Sequence, residues 1–362
     1  MSYRRALVLP ATIERGVLVT GGLGYLGSHT ACQLISQGYN VTILDSLVNS
    51  ETSVLDRIES IAGKRPRFIY GDVRDSRLVE QTINEHQLSS VVHFAGLKAV
   101  GESSDCPLDY YENNVQGMLA VLRAMQNTGV YRLVFSSSAT VYGEPCSLPI
   151  DENHPIAPTN PYGRTKRMIE QILSDVYNTA PRIWSIFVLR YFNPAGAHES
   201  GLLGERPKGT PNNLFPYLAQ VATRERPFLS IFGDDYPTPD GTAIRDYIHV
   251  MDLTDAHVAS IERMTPGEFA VLNLGTGLGY SVMDIVRAFE RACRRPISYE
   301  FAARRIGDVC AMYSDPNAAH KRLDWRAKRD LEAMVESAWQ FYTNDHQVPC
   351  TPSVQREGTT QR

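Results

Sequence analysis

Cysteine is scarce and scattered. Six residues, at 32, 106, 146, 293, 310 and 350, form no CxxC pair. That excludes a disulfide framework or a thiolate metal cluster, and it reads as incidental thiols in a reducing cytoplasm. The nine histidines contain no HExxH spacing, so no metal site is expected. His93, inside an apolar stretch, reads as a structural group. No GxSxG element exists, which removes the usual serine-hydrolase signature. No long apolar run exists either. Ala6-Leu7-Val8-Leu9 stops at Pro10, too short for a signal peptide or a membrane span. Charge of one sign is not concentrated: 36 basic against 40 acidic residues leave a net charge of -4. The densest basic pairs, Arg294-Arg295 and Arg304-Arg305, are too short for a nucleic-acid surface. Neither an internal repeat nor a low-complexity segment is present. What remains is an ordinary globular composition in a chain of 362 residues, long enough for two lobes.

The most informative stretch runs from Gly16 to Gln37. A short apolar strand, Gly16-Val17-Leu18-Val19-Thr20, meets Gly21-Gly22-Leu23-Gly24-Tyr25-Leu26-Gly27 and then a helical pattern. Glycines at such a turn let the backbone approach a pyrophosphate, and the helix start offers free N–H groups and a positive dipole end. The spacing departs from strict GxGxxG. Some twenty residues on, Val41-Thr42-Ile43-Leu44-Asp45 ends a second strand in an acid, as the dinucleotide fingerprint requires. Asp45 can accept from a ribose 2′-hydroxyl and would repel a 2′-phosphate, which favours NAD over NADP. A local capping role for Asp45 is the competing reading.

Strands and helices alternate through the first half. Strand patterns at Phe68–Tyr70, Ser90–Gly96, Tyr131–Phe135 and Trp184–Leu189 are separated by helical ones, including Tyr110–Met125 and Thr159–Val176. This predicts an α/β fold with a Rossmann-type, doubly wound parallel sheet and right-handed crossovers. After Asn193 glycine and proline cluster, and a smaller mixed C-terminal substrate lobe is expected. The organisation predicted is an extension at 1–15, a dinucleotide-binding domain at 16–192 and a second lobe at 193–348. Segments within about 228–275 return to the large domain, and 349–362 is a polar tail. Ser281-x-x-Asp284 reads as a capping box opening a helix. Leu331, Met334, Val335, Ala338, Trp339 and Tyr342 recur at helical spacing and read as core.

Tyr162 and Lys166 stand four apart on a predicted helix and so share a face. A phenol near pKa ~10 is a weak base at neutral pH. A neighbouring ammonium favours its phenolate, as would a positive nicotinamide, and either would make Tyr162 a proton acceptor from an alcohol. Ser136-Ser137-Ser138 follows a predicted strand, where open α/β sheets bind ligands. These hydroxyls either contact a substrate oxygen or cap local backbone.

Several longer segments carry a closer resemblance. His93-Phe94-Ala95-Gly96-Leu97-Lys98-Ala99-Val100-Gly101-Glu102-Ser103, Ser136-Ser137-Ser138-Ala139-Thr140-Val141-Tyr142-Gly143, Arg190-Tyr191-Phe192-Asn193-Pro194, Pro211-Asn212-Asn213-Leu214 and Arg245-Asp246-Tyr247-Ile248-His249-Val250 are the main ones. From about Gly16 to Tyr342 the chain resembles the UDP-hexose 4-epimerases of the extended short-chain dehydrogenase/reductase family. The resemblance implies reversible C4 epimerisation of UDP-galactose and UDP-glucose through a 4-keto sugar, with tightly held NAD+ as transient hydride acceptor. It implies Tyr162 as base, Lys166 as its ribose-binding partner and Ser138 as an aid to proton transfer at the sugar 4-position. Implied cofactor contacts are Gly21, Gly24, Tyr25, Leu26, Asp45, Asn49 and Ser50. They continue through Asp72, Val73, Phe94, Ala95, Lys98, Asn113, Ser136 and Tyr191.

Beside Ser138 and Tyr162, implied substrate contacts are Asn193, Asn213, Leu214, Phe232, Arg245, Arg305 and Asp308. The arginines suit a diphosphate. Met312 falls where bacterial relatives carry a bulky tyrosine against the sugar. Members with a small residue there also accept N-acetylated sugars, so an epimerase acting also or mainly on UDP-N-acetylglucosamine and UDP-N-acetylgalactosamine stays open. A plain NAD-dependent dehydrogenase, a 4,6-dehydratase (which wants an acid beside the active serine) and a non-catalytic NAD-binding protein are the rival readings. The family usually pairs through two helices per subunit, which makes a cytoplasmic homodimer the expectation, with Tyr110–Met125 and Tyr162–Val176 as the pairing helices.

Overall fold

The computed structural model describes residues 15–305 and 307–345. The extension before Arg15 and the polar tail at 349–362 lie outside the described residues. Seven parallel strands form the main sheet. In chain order they are β1 (Gly16–Thr20), β2 (Asn40–Asp45), β3 (Arg67–Tyr70), β4 (Ser90–His93), β5 (Arg132–Ser138), β6 (Ser185–Tyr191) and the later strand Phe269–Leu274. Their spatial order is Phe269–Leu274, β6, β5, β4, β1, β2, β3. The central strands are apolar on both faces, because helices cover both sides. One face packs α1 (Tyr25–Ser36), α2 (Ser53–Ala62) and the helix Val250–Arg263. The other packs α3 (Ser76–Glu85), α6 (Gly117–Thr128) and α7 (Pro161–Thr179). Between β4 and α6 lie two short helices, α4 (Val100–Asp105) and α5 (Pro107–Tyr110).

The chain leaves β1 toward β2 on one side and leaves β4 toward β5 on the other. This reversal opens a crevice beyond the carboxyl ends of β1 and β4, the place where such sheets bind ligands. The single helix expected over Tyr110–Met125 is instead α5, a π-helical turn at Tyr111–Gln116 and α6. The wide turn has a local cause. Asn114 is buried there, accepts from Leu97 N at 2.8 Å, and donates to Leu97 O at 3.0 Å and Thr165 Oγ1 at 3.1 Å. It ties the loop after β4 to α7.

A second apolar core gathers the helices Leu214–Ala222, Val282–Cys293 and Leu331–Asp345. The helix Val282–Cys293 opens with both halves of the Ser281/Asp284 capping box in place. Leu331, Met334, Val335, Ala338 and Tyr342 lie inside this core. Of the later segments, Val250–Arg263 and Phe269–Leu274 pack with the large sheet. Leu229–Phe232 pairs instead with Tyr299–Ala302.

Candidate active site

The glycine turn lies at the crevice. Gly21 has φ +65°, and a Cβ there would stand 2.8 Å from Ala95 N. A Cβ on Gly27 would stand 2.2 Å from Gly21 O. Glycine is therefore required at both positions, to bring the loop against the end of β4 and to seat α1 against the loop. α1 begins at Gly24 with no side-chain cap and no acid in its first turn, which leaves its first N–H groups to an anion. Asp45 ends β2 and is buried. Its Oδ2 accepts from Leu23 N at 2.9 Å, and its Oδ1 from Leu47 N at 2.9 Å and Ser50 Oγ at 2.8 Å. A carboxylate offers about four acceptor sites, so room is left for a ribose hydroxyl. The local-capping reading describes these three bonds, and the remaining acceptor capacity is compatible with a ribose hydroxyl. These features fit a dinucleotide with a free 2′-hydroxyl.

Other expected cofactor contacts lie on several neighbouring elements. Leu26 lies in the first turn of α1, and Asn49 is exposed on the loop after β2. Phe94 stacks at 4.8 Å on His257. Asp72 is gripped by Arg74, through Nε at 3.0 Å to each oxygen and Nη2 at 2.6 Å, which holds its carboxyl below the usual range. Val73 is buried under Gly117, and Asn113 sits in the π-helical turn. Tyr25 turns toward the second lobe and donates to Gly196 O at 2.6 Å.

Tyr162 occupies the first turn of α7. Pro161 precedes it, and the Asn160 side chain caps the helix by accepting from Gly163 N at 2.8 Å. The phenol is buried, and the Ser138 and Tyr191 hydroxyls are the neighbours that favour its phenolate form. Ser138 and Tyr191 are opposite each other in the β5–β6 pairing. Lys166 lies one turn on, its Nζ 5.8 Å from the centroid of the Tyr162 ring and 2.8 Å from Ser136 O. Electrostatics here departs from the sequence-based expectation. Burial pushes the Tyr162 phenol up to about 12 against its two hydrogen bonds, and burial pushes Lys166 down to about 8 against the pull of Glu170. In the protein alone, desolvation outweighs the help of the neighbouring hydroxyls, and the lysine is not among the groups that oppose it.

The three serines divide their work. Ser136 donates to His257 Nε2 at 2.8 Å, because His257 Nδ1 is committed to Leu253 O at 2.8 Å. Ser136 thus acts on the site through its carbonyl, which holds Lys166. Ser137 donates to Glu170 at 2.6 Å. Ser138 both accepts from Thr140 N at 3.2 Å, capping a short turn, and reaches Tyr162.

The second lobe supplies a cationic group. Arg245 Nη2 stands 3.3 Å from Asp308 Oδ1, and Arg305 Nε 2.9 Å from Asp308 Oδ2. Arg245 does not pair with its neighbour Asp246, which is buried and bonded to Thr276 and Ser314. The Arg305 guanidinium lies 4.8 Å over the Phe232 ring. Met312 is opposite Arg245 in a strand pair and shares a buried cluster with Ala139 and Phe192. It therefore joins the surroundings of Ser138 to the arginines. Asn193 N donates to Asp246 O at 2.9 Å. Asn213 and Leu214 open the helix Leu214–Ala222.

Sequence reasoning passed over Glu170, Arg190, Asn114 and Glu205. Glu170 had a signal, since Tyr162, Lys166 and Glu170 stand four apart on one helix. Its partner Arg190 binds it through Nε at 3.0 Å and Nη2 at 2.7 Å. Glu205 and Asn114 work through partners that spacing does not reveal.

Fold and site define an enzyme of the short-chain dehydrogenase/reductase class, built to hold a dinucleotide beside a tyrosine–lysine pair. A family model described as GDP-mannose 4,6 dehydratase matches residues 18–338. The UDP-glucose 4-epimerase of Yersinia pestis is 52% identical over 334 residues, covering 91% of this chain and 98% of its own. The crystal structure of the Bifidobacterium longum UDP-glucose 4-epimerase with NAD+ and UDP is 48% identical at TM-score 0.89, covering 91% and 99%. The UDP-Glc/GlcNAc 4-epimerase of Campylobacter jejuni is 35% identical at TM-score 0.79, covering 91% and 99%. The chain belongs to the UDP-glucose 4-epimerase family.

Proposed function

We propose that this chain interconverts UDP-galactose and UDP-glucose by epimerisation at sugar C4, with NAD as resident cofactor. The observation that carries this reading is the buried Tyr162 phenol one helical turn from Lys166, whose Nζ lies 5.8 Å from the centroid of the phenol ring. When bound, NAD+ supplies a reversible hydride acceptor for C4 and a positive ring near the phenol. Tyr162, as phenolate, takes the proton of the sugar 4-hydroxyl and later returns it. The Ser138 and Tyr191 donors stabilise that phenolate. Lys166 adds positive charge and, fixed by Ser136 O, holds the cofactor ribose. Arg245 and Arg305 bind the diphosphate while the keto sugar turns its other face. Phe232, Asn193, Asn213 and Leu214 complete the substrate side, and Met312 sets the room around the hexose.

A 4,6-dehydratase fits less well. Ser138 is followed by Ala139 and Thr140 rather than an acid, and the Glu170 carboxylate below is committed to Arg190. The chain pairs as a homodimer through α6 and α7, where Leu119 and Met168 stand exposed. A reducing cytoplasm suits its free thiols. Among the described residues, no helix is long and apolar enough to cross a membrane.

The test is to incubate the purified protein with UDP-galactose, without added NAD, and to resolve the products. The expected result is a mixture of the two UDP-hexoses. Tyr162→Phe slows its formation by at least about 10²-fold, the usual worth of a positioned acid–base group. Full turnover by that variant, or none by the parent, refutes the reading.

A further inference from the structure

One carboxylate oxygen joins the two halves of the site. Glu205 Oε1 accepts from Lys98 Nζ at 2.7 Å and from Asn213 Nδ2 at 2.6 Å. Glu205 is nearly buried at 9% exposure, so its acceptor is kept from water. Its segment is pinned from two sides. The Tyr342 hydroxyl donates to Glu205 O at 3.0 Å, and Leu203 O lies 3.2 Å from His29 Nε2 on α1. The carboxylate thus has a fixed place, while its two donors differ. The Lys98 side chain is 59% exposed, on the loop between β4 and α4. Asn213 precedes the helix Leu214–Ala222 as its N-cap residue, yet makes no side-chain cap there. Asn is a favoured cap, worth about 1 kcal/mol. Its amide is turned to Glu205 instead.

We propose that Glu205 is a positioning residue that couples retention of the dinucleotide to binding of the sugar nucleotide. This rests on the proposed function, in which Lys98 belongs to the cofactor side and Asn213 to the substrate side. The physical reason is a shared, charge-assisted acceptor. When the cofactor orders Lys98, the ammonium stays on Glu205 and neutralises it. That leaves the carboxylate aligned for Asn213 and keeps an unpaired negative charge away from the incoming diphosphate. By linkage the effect is reciprocal: the sugar nucleotide, by ordering Asn213, slows loss of the cofactor.

The experiment follows NAD release from the purified holoenzyme. Free NAD+ is trapped by alcohol dehydrogenase and ethanol and read by fluorescence, with and without saturating UDP-galactose. In the parent, UDP-galactose slows release by at least about fivefold, the lower end of common coupling factors. In Glu205→Gln, which keeps shape and loses charge, the ratio falls below about twofold. Lys98→Met, which cuts the link from the other end, gives the same loss, and the double variant loses no more. If Glu205→Gln does not fold, Lys98→Met decides. A purely structural Glu205 would lower the melting temperature and leave the ratio intact. A parent that keeps NAD but releases it indifferently to UDP-galactose, or variants with the parent's ratio, overturn the coupling alone. A parent that holds no NAD overturns the proposed function with it.

Discussion

Replacing Glu170 with Gln probes the electrostatics beneath the Tyr162–Lys166 face. Glu170 accepts from Ser137 Oγ at 2.6 Å, Arg190 Nε at 3.0 Å and Arg190 Nη2 at 2.7 Å, and both ends of the ion pair are buried. The amide keeps the shape and leaves Arg190 as an unneutralised buried cation. Removing one partner of such a pair costs about 3–5 kcal/mol. At roughly 2–4 °C per kcal/mol for a mid-sized domain, the melting temperature falls by about 6–20 °C. The same change acts on Lys166. Burial pushes its ammonium down to about 8, and the Glu170 carboxylate is the attraction that opposes the fall. Without that carboxylate, burial acts unopposed and the lysine loses its proton at lower pH. On the proposed function turnover needs the charged lysine, so the alkaline limb of kcat is expected to move toward lower pH. Acid of that limb, Lys166 is charged in parent and variant alike, and the two rates converge. The assay is epimerisation of UDP-galactose in quenched, chromatographically resolved samples across pH, beside thermal melts. A lowered melting temperature with an unmoved limb, or a limb moved to higher pH, would refute the electrostatic argument and leave Glu170 a packing residue.

Met312→Ala removes a buried side chain from the cluster with Ala139 and Phe192. The freed space raises turnover of UDP-N-acetylgalactosamine relative to UDP-galactose by at least about tenfold, the order set by one or two methylenes in a pocket. An unchanged ratio means that Met312 does not bound the sugar. Light scattering at micromolar concentration gives near twice the 40.4 kDa chain mass, and Leu119→Glu with Met168→Glu shifts it to one chain. A monomeric parent rules out pairing through α6 and α7.

What the sequence made legible is what local spacing controls. The glycine turn, the acid ending β2 and the Tyr162–Lys166 pair each lie within one or two elements, and periodicity carries that information directly. The same holds for the parallel sheet, since apolar strands separated by helices leave few other arrangements. The division of labour among Ser136, Ser137 and Ser138 was not legible. It depends on His257, 121 residues away, and on Glu170, 33 residues away. Glu205 meets Lys98 across 107 residues, and nothing near either residue announces the other.

The phenol exposes a different limit. Spacing places an ammonium beside Tyr162 and so argues for a lowered pKa, whereas the folded site raises it to about 12. Both effects are physical, but burial is a property of the whole fold. Desolvation by the surrounding fold outweighs the hydroxyls that favour the phenolate, and the neighbour four residues along the helix is not among the opposing causes. Only the phenolate can accept the sugar proton, so the protein alone keeps its base in reserve. Lys166 is one source of positive charge beside it, and the positive ring of NAD+ is a second that the proposed function supplies. On the proposed function, bound NAD+ would tie the proton to the hydride: a positive ring favours the Tyr162 phenolate, and a neutral ring would favour the protonated phenol again.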